Sequence, residues 1–349
     1  MRMSKKAAVL LISAAAALSC CISEDEGGSS IFLMSWNVQN LFDDVDNGSE
    51  YYEFDPSNGD WNNDLFNRKA AALSEVISVS AAGGPDIVLL QEIENENALS
   101  LLNDGYLKLS DYKYMVFLPT ENSAVGCGVL SRFPILSVKN HSVNFRGKTA
   151  GRNISEIDFD VEGYDAGLKV FLNHWKSKLG GAAETEPSRM ASAGLLNSLI
   201  SRISAVQTDL LIIAAGDFNE SHDEYARINR DYMTAIMPFS EEDGWLDFNM
   251  LLFLDTAADM NGAGGLLYNP WTEAGLNGSY YYDGNWETID QFFLNAAAFD
   301  GGGLEYAGFS TVALEFNMRS DGTPMRWQSS TGDGCSDHFP ILLELKTVR

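Results

Sequence analysis

At six places the sequence sets metal-binding or proton-transferring side chains against an apolar run. Asn37 follows IFLMSW, and Gln91 and Glu92 follow DIVLL. Asn173 and His174 follow LKVFL, and Asp217 and Asn219 follow LLIIAAG. Asp290 sits inside WETIDQFFL, and Asp337 and His338 precede FPILLEL. A strand fixes its end residues well, and several strands can aim their ends at one place. Glu92, Asn37 and Asp337 offer hard oxygen ligands, which suit Mg2+, with Mn2+ or Ca2+ as alternatives, better than zinc. His338 can act as a general base near neutral pH. A carboxylate such as Asp290 can hold its tautomer and stabilise the imidazolium. Asp217 and Asn219 can orient a water or hold a phosphoryl oxygen. Together these groups suit metal-assisted hydrolysis of a phosphate ester. Any one Asp or Asn after a strand reads more simply as a turn or helix cap. The signal lies in the set, and in two of the four His falling in the short strings NHWKSK and SDHFP.

The elements that must position these residues are mostly strands. Apolar runs or alternation predict strands near 31–36, 86–90, 112–118, 126–130, 135–142, 153–161, 168–172, 209–214, 288–294 and 339–345. Residues 210–215 are apolar throughout, which predicts a strand buried on both faces. Helical spacing predicts helices over 65–79 and 187–206, with Pro187 in the first turn of the second. Many strands, few helices and no break in composition predict an α+β fold of packed sheets in one domain, residues 31–349.

Residues 1–20 read as an export signal: Arg2, Lys5 and Lys6, then an apolar run over 7–18 that is too short to span a bilayer. It ends at Cys20 and Cys21, either of which could be the lipidated cysteine of a bacterial lipoprotein signal. Residues 21–30 read as a flexible tether. The sequence thus predicts export to the cell envelope, membrane-anchored only through an N-terminal lipid, or plain secretion. Beyond the signal only Cys127 and Cys335 remain, enough for one disulfide and too few for a framework. The absence of a CxxC pair argues against structural zinc.

Seven strings resemble the endonuclease/exonuclease/phosphatase superfamily, in that family's order: SWNVQNLFD, LLQEIEN, GVLSRFPI, LNHWKSK, GDFN, ETIDQFFL and SDHFP. The resemblance implies a four-layer α/β/β/α sandwich and metal-dependent phosphoester hydrolysis. It implies Asn37 and Glu92 at the metal, and His338 as the base that activates water, partnered by Asp290. It implies His174 as acid or phosphate donor, Asp217 and Asn219 positioning the nucleophile and phosphate, and Asp337 beside the metal. Gln39 stands where the apurinic branch carries an acid, so Asp43, Asp44 and Glu53 become the acids available for a second ligand. No basic residue flanks Asp290, which points away from the inositol phosphatase branch.

The net charge of −26 excludes a protein that coats DNA by broad electrostatics. Residues 132–189 differ, with nine Lys and Arg against seven Asp and Glu. That segment contains His174, and Asn173, Arg152, Lys176, Lys178 and Arg189 are its phosphate-contact candidates. The aromatic segment 268–286 can stack bases, meet a lipid interface, or pack its loop on the core. The expected function is an exported Mg2+-dependent phosphodiesterase, an endonuclease or exonuclease acting on nucleic acid. A sphingomyelinase-like phospholipid phosphodiesterase is the first alternative. An inactive envelope-binding module on the same fold is the second.

Overall fold

Alternation along single strands divides their side chains between layers. In the stretch LIIAA, Leu211, Ile213 and Ala215 enter one apolar cluster while Ile212 and Ala214 enter another. Leu33 and Met34, next to one another in sequence, likewise point to opposite sides of their sheet. The computed structural model describes residues 29–58, 60–145, 147–239, 249–260 and 265–348. The expected signal at 1–20, with Cys20 and Cys21, and most of the tether lie outside the described residues.

In chain order the strands begin with β1 (Ser30–Leu41), β2 (Ile87–Ile93), β3 (Tyr114–Leu118) and β4 (Gly126–Ser131). Next come β5 (Ile135–Phe145), β6 (Lys148–Phe159), β7 (Leu168–His174) and β8 (Leu211–Asp217). Short strands follow: β9 (Ile236–Pro238), β10 (Leu251–Leu254), β11 (Leu267–Tyr268), β12 (Tyr280–Tyr282) and β13 (Asn285–Glu287). The last are β14 (Asp290–Leu294), β15 (Gly303–Thr311) and β16 (Ile341–Val348).

One sheet runs β15-β16-β1-β2-β4-β3 and the other β5-β6-β7-β8-β14-β11-β10-β9. Both are mixed: β1 and β2 are parallel, as are β7 and β8, while their other neighbours in these sheets are antiparallel. The sheets pack face to face over a shared cluster that includes Leu33, Leu89, Val170, Ile213, Phe292 and Leu343. Helix α1 (Asn63–Val79) covers the outer face of the first sheet with Phe66, Ala70, Leu73 and Ile77. A short helix α2 (Glu96–Leu101) covers the same face. Helix α3 (Ala182–Ser204) covers the second sheet with Ala193, Leu196, Leu199 and Ile200. The order is therefore helix, sheet, sheet, helix, the four-layer sandwich that the sequence implied.

Local chemistry sets these boundaries. The Asn62 side chain caps α1 by accepting from the amides of Asp64 and Leu65 at 2.9 and 3.2 Å. All ten expected strands are present, but Pro187 is not in a first turn, because α3 begins five residues earlier at Ala182. The turn before Pro187 is tied to the next by Arg189, whose guanidinium donates to the Ala182 carbonyl at 2.8 Å and to Thr185 Oγ1 at 2.9 Å. Cys127 and Cys335 are free, buried, and in different apolar clusters, so they form no bridge.

Candidate active site

The strands bring their polar ends to one edge of the sandwich. Asn37 and Glu92 leave the first sheet, while His174, Asp217 and Asp290 stand at the facing ends of β7, β8 and β14. Asp217 pairs in register with His174 on one side and Asp290 on the other. Gly216 makes that approach possible. Its φ is +135°, and a Cβ there would lie 1.9 Å from the Asn173 carbonyl oxygen.

Positive φ angles bend the backbone into the site. Glu92 has φ +66° at the point where β2 shifts register, and Gln39 and Asn40 have +53° and +63° where β1 does the same. Asn219 has φ +52°. Non-glycine residues hold this region at a cost, met here by bonds to the site itself. The amide of Gln39 donates to Asn37 Oδ1 at 3.0 Å, and the amide of Asn219 donates to Asp217 Oδ1 at 2.8 Å.

Asn37 joins the two sheets. Its Nδ2 donates to Glu92 Oε1 at 3.1 Å and to Asp217 Oδ2 at 3.0 Å. The bond from the Gln39 amide fixes which end of the side chain is oxygen. That oxygen is turned to the backbone, so Asn37 orients the carboxylates rather than offering the oxygen ligand expected from the sequence.

His338 is buried and its Nδ1 lies 2.7 Å from Asp290 Oδ2. Ser279 Oγ donates to the same oxygen at 2.6 Å, and Asp290 Oδ1 is buried without a partner. With Asp290 ionised, Nδ1 carries the proton and Nε2 faces the site. Asp337 Oδ1 lies 3.9 Å from Nε2. The His338 backbone is pinned as well: Trp36 Nε1 donates to its carbonyl at 2.9 Å, and its own amide donates to Ser336 Oγ at 3.1 Å. Burial favours the neutral ring, but the charge and hydrogen bond of Asp290, with Asp337 and Asp217, lift His338 to about 10. Asp217 is pushed up to about 7, first by burial and then by the charge of Asp290.

His174 differs. Burial, then the positive charges of Arg152 and His338, hold it well below the usual histidine range. Its Nε2 lies 3.7 Å from Glu92 Oε1 and 3.6 Å from Asp217 Oδ2. A neutral ring can donate one hydrogen bond to phosphate, but it is a poor general acid at neutral pH.

The basic candidates separate. Arg152 forms no ion pair among the described residues, and its buried Nη1 lacks a hydrogen-bond partner. Lys176 is half-buried and makes no ion pair among the described residues. The other three are committed inside the protein, which corrects the expectation that they contact phosphate. Lys178 bridges Glu224 and Glu287 at 2.8 and 3.0 Å. Arg189 is enclosed with Glu186 and Glu220 at 2.6 and 3.2 Å. Asn173 donates to the carbonyls of Phe171 and Ala215 and accepts from Trp175 Nε1. Of the acids considered for a second ligand, Asp43 is committed elsewhere. Its Oδ1 accepts from the Val45 amide, and its Oδ2 accepts from the side chains of Asn95 and Asn97 at the start of α2.

A hard divalent cation fits this donor set. Glu92, Asp217, Asp290 and Asp337 crowd one edge, and the charges of Asp290, Asp337 and Asp217 lift His338 against its burial. Among the described residues, Asp217, Asp290 and His338 also form a group whose ligand atoms lie within 4.8 Å of one another. Within it Asp290 Oδ2 and His338 Nδ1 are already bonded to each other, so the pair reads as a proton relay. The more open carboxylates of Glu92 and Asp337 are better placed to bind an ion.

Several contributors carry no motif of their own. Lys69 lies on the apolar face of α1, three residues after Phe66 and four before Leu73, and helical spacing alone points it inward. Its Nζ donates to the carbonyls of Gln39 at 2.8 Å and Cys335 at 3.4 Å, tying together the segments that carry Asn37 and Asp337. Burial pulls it down to about 7, against the opposing charges of Cys335, Asp337, Glu92 and Glu53. Tyr280 lies over the His338 ring with centroids 4.5 Å apart.

Comparison with known proteins agrees with the fold. The fold resembles truncated TDP2 of Caenorhabditis elegans only at the level of architecture, with 15% identity, 91% of this chain and 98% of that chain covered, and a TM-score of 0.55. TDP2 of D. rerio complexed with a single-strand DNA product gives 16% identity, coverage of 91% and 100%, and a TM-score of 0.52. The human Nocturnin catalytic domain with bound sulfate gives 14% identity, coverage of 91% and 94%, and a TM-score of 0.52. No curated protein matches the chain in sequence. Residues 32–347 match the endonuclease/exonuclease/phosphatase family, and the chain belongs to that family of phosphoester hydrolases.

Proposed function

We propose that this protein is an exported, divalent-metal-dependent phosphodiesterase that cleaves nucleic acid. The observation that carries the reading is the buried His338–Asp290 pair, 2.7 Å apart and set beside an excess of carboxylates. Asp290 holds the His338 Nδ1 proton, which leaves Nε2 to take a proton from water as that water attacks phosphorus in line. Ser279 and Tyr280 keep the pair in place from one side, and Trp36 and Ser336 from the other. His174 can donate to a phosphoryl oxygen, as can the second amide hydrogen of Asn219, whose Nδ2 also donates to the Trp175 carbonyl at 3.1 Å, and Arg152 offers the unpartnered Nη1. Glu92 and Asp337, with Asp217 beside them, would hold Mg2+. When bound, the ion supplies charge neutralisation, both for the carboxylates that keep His338 protonated and for charge developing on the phosphoryl group.

Nucleic acid is favoured over lipid because a structural neighbour is complexed with a single-strand DNA product. Export rests on residues 1–20, with lipidation at Cys20 or Cys21 anchoring the chain to the envelope membrane. A panel of duplex DNA, single-stranded DNA, RNA, sphingomyelin vesicles and phosphoinositides, each with Mg2+ and with EDTA, tests the reading. Mg2+-dependent cleavage of a nucleic acid is expected. Cleavage of sphingomyelin alone would move the assignment to the phospholipid branch, and no cleavage of any substrate with Mg2+, Mn2+ or Ca2+ would favour a binding module.

A further inference from the structure

The β12–β13 hairpin carries aromatic side chains on both faces, and the faces are used differently. On one face Trp286 stacks on Phe339 at 6.0 Å and 22°, and Tyr281 meets Trp286 edge-on at 5.2 Å. These contacts anchor the hairpin, together with the Phe339 amide, which donates to the Ser279 carbonyl at 2.7 Å. On the other face Tyr280 covers the His338 ring at 4.5 Å, tilted by 31°. Tyr282 lies parallel to Tyr280, with centroids 6.2 Å apart and 7° between the planes. His338, Tyr280 and Tyr282 form a row of rings that leads from the general base toward solvent. Tyr282 is 63% exposed, so its ring does little to hold the hairpin. The row begins at the reacting centre, so whatever lies on its outer end is joined closely to the scissile phosphate.

We propose that Tyr282, supported by Tyr280, is a stacking platform for a nucleobase of the substrate strand next to the cleaved bond. The inference rests on the nuclease reading and narrows its substrate to strands whose bases are free to stack. Near-parallel rings select a flat partner through face-to-face contact, whereas a quaternary ammonium head group is held by aromatic faces turned toward one point. Stacking on a protein ring tolerates any base, because every base has a π face. The platform therefore supplies position and affinity without sequence preference, and it favours single-stranded or frayed ends, where bases are not already paired.

The test uses the full exported chain with Mg2+ and two oligonucleotides of one length, one with normal bases and one with abasic residues flanking the cleaved bond. The quantity read is the ratio of kcat/KM on the base-bearing strand to kcat/KM on the abasic strand. Tyr282→Ala is expected to lower that ratio about 10-fold, and Tyr282→Phe, which keeps the ring, is expected to preserve it. A ratio unchanged in Tyr282→Ala overturns the platform while leaving the nuclease reading intact. Cleavage of neither strand by the wild type, with hydrolysis of a phosphocholine diester instead, overturns the nuclease reading and the platform with it.

Discussion

Arg152 carries a buried nitrogen with no hydrogen-bond partner, close enough to His174 to depress its basicity. A buried guanidinium donor left unpaired is costly, and a phosphate in the cleft would satisfy it with a charge-assisted bond. Arg152→Ala should therefore cost about 10- to 100-fold in kcat/KM while the melting temperature holds. Arg189→Ala should do the reverse: Glu186 and Glu220 would be left buried without their cation, at a cost of about 3–5 kcal/mol in stability. Activity and thermal melts on the two variants check both directions, and a loss of activity without a loss of stability in Arg189→Ala would contradict the assignment. The sequence placed both arginines in one basic segment, because charge along a chain does not reveal which side chains meet carboxylates in space. It located Glu92, Asp217, Asp290 and His338 because each adjoins a strand, whose direction carries the residue to a known edge. It could not orient the Asn37 amide, which depends on a single backbone donor from Gln39.

Strands of five or more residues left a readable pattern, with β15 the exception, and the shorter ones did not. β9, β10 and β11 have two to four residues each, too few to show a period. β15 has nine but includes two glycines and mostly half-exposed positions, so its alternation is blurred. The outer strands of the second sheet add an ion cluster that no local pattern announces. Glu156 on β6 accepts from Lys169 on β7 at 2.6 Å and meets His141 on β5 at 2.8 Å, and Lys169 also pairs with Asp158. Burial would raise Glu156, but the hydrogen bonds from Lys169 and His141 overcome it and bring it down to about 2. A carboxylate with a depressed folded-state pKa stabilises the fold above its unfolded pKa, about 4.3, and loses that contribution as pH falls toward the folded value. Glu156→Gln should thus cost about 2 kcal/mol at pH 7, and the gap from the wild type should close between about pH 4 and pH 2. Urea unfolding across that range measures it, and a gap that stays constant with pH would show that the cluster is not the source.

At the scale of the molecule, the net charge of −26 and the phosphate chemistry are reconciled by location. The acidic excess is general, while the site is a narrow edge where two sheets deliver carboxylates, two histidines and an arginine, Arg152, whose buried Nη1 lacks a partner among the described residues. If the substrate is nucleic acid, as proposed, so few local contacts should hold it weakly and with a shallow dependence on salt. The packed sheets followed from the strand pattern, since alternating strands with few helices have few ways to bury both faces, while the four-layer order came from the family resemblance. The central claim is that His338, oriented by Asp290, activates water for attack on a phosphodiester. Its most direct measurement is the rate of Mg2+-dependent cleavage of single-stranded DNA by the wild type and by His338→Ala. The account predicts a loss of about 10²–10⁴-fold, with the variant still folded by circular dichroism. A folded His338→Ala protein that cleaves at near the wild-type rate would contradict it.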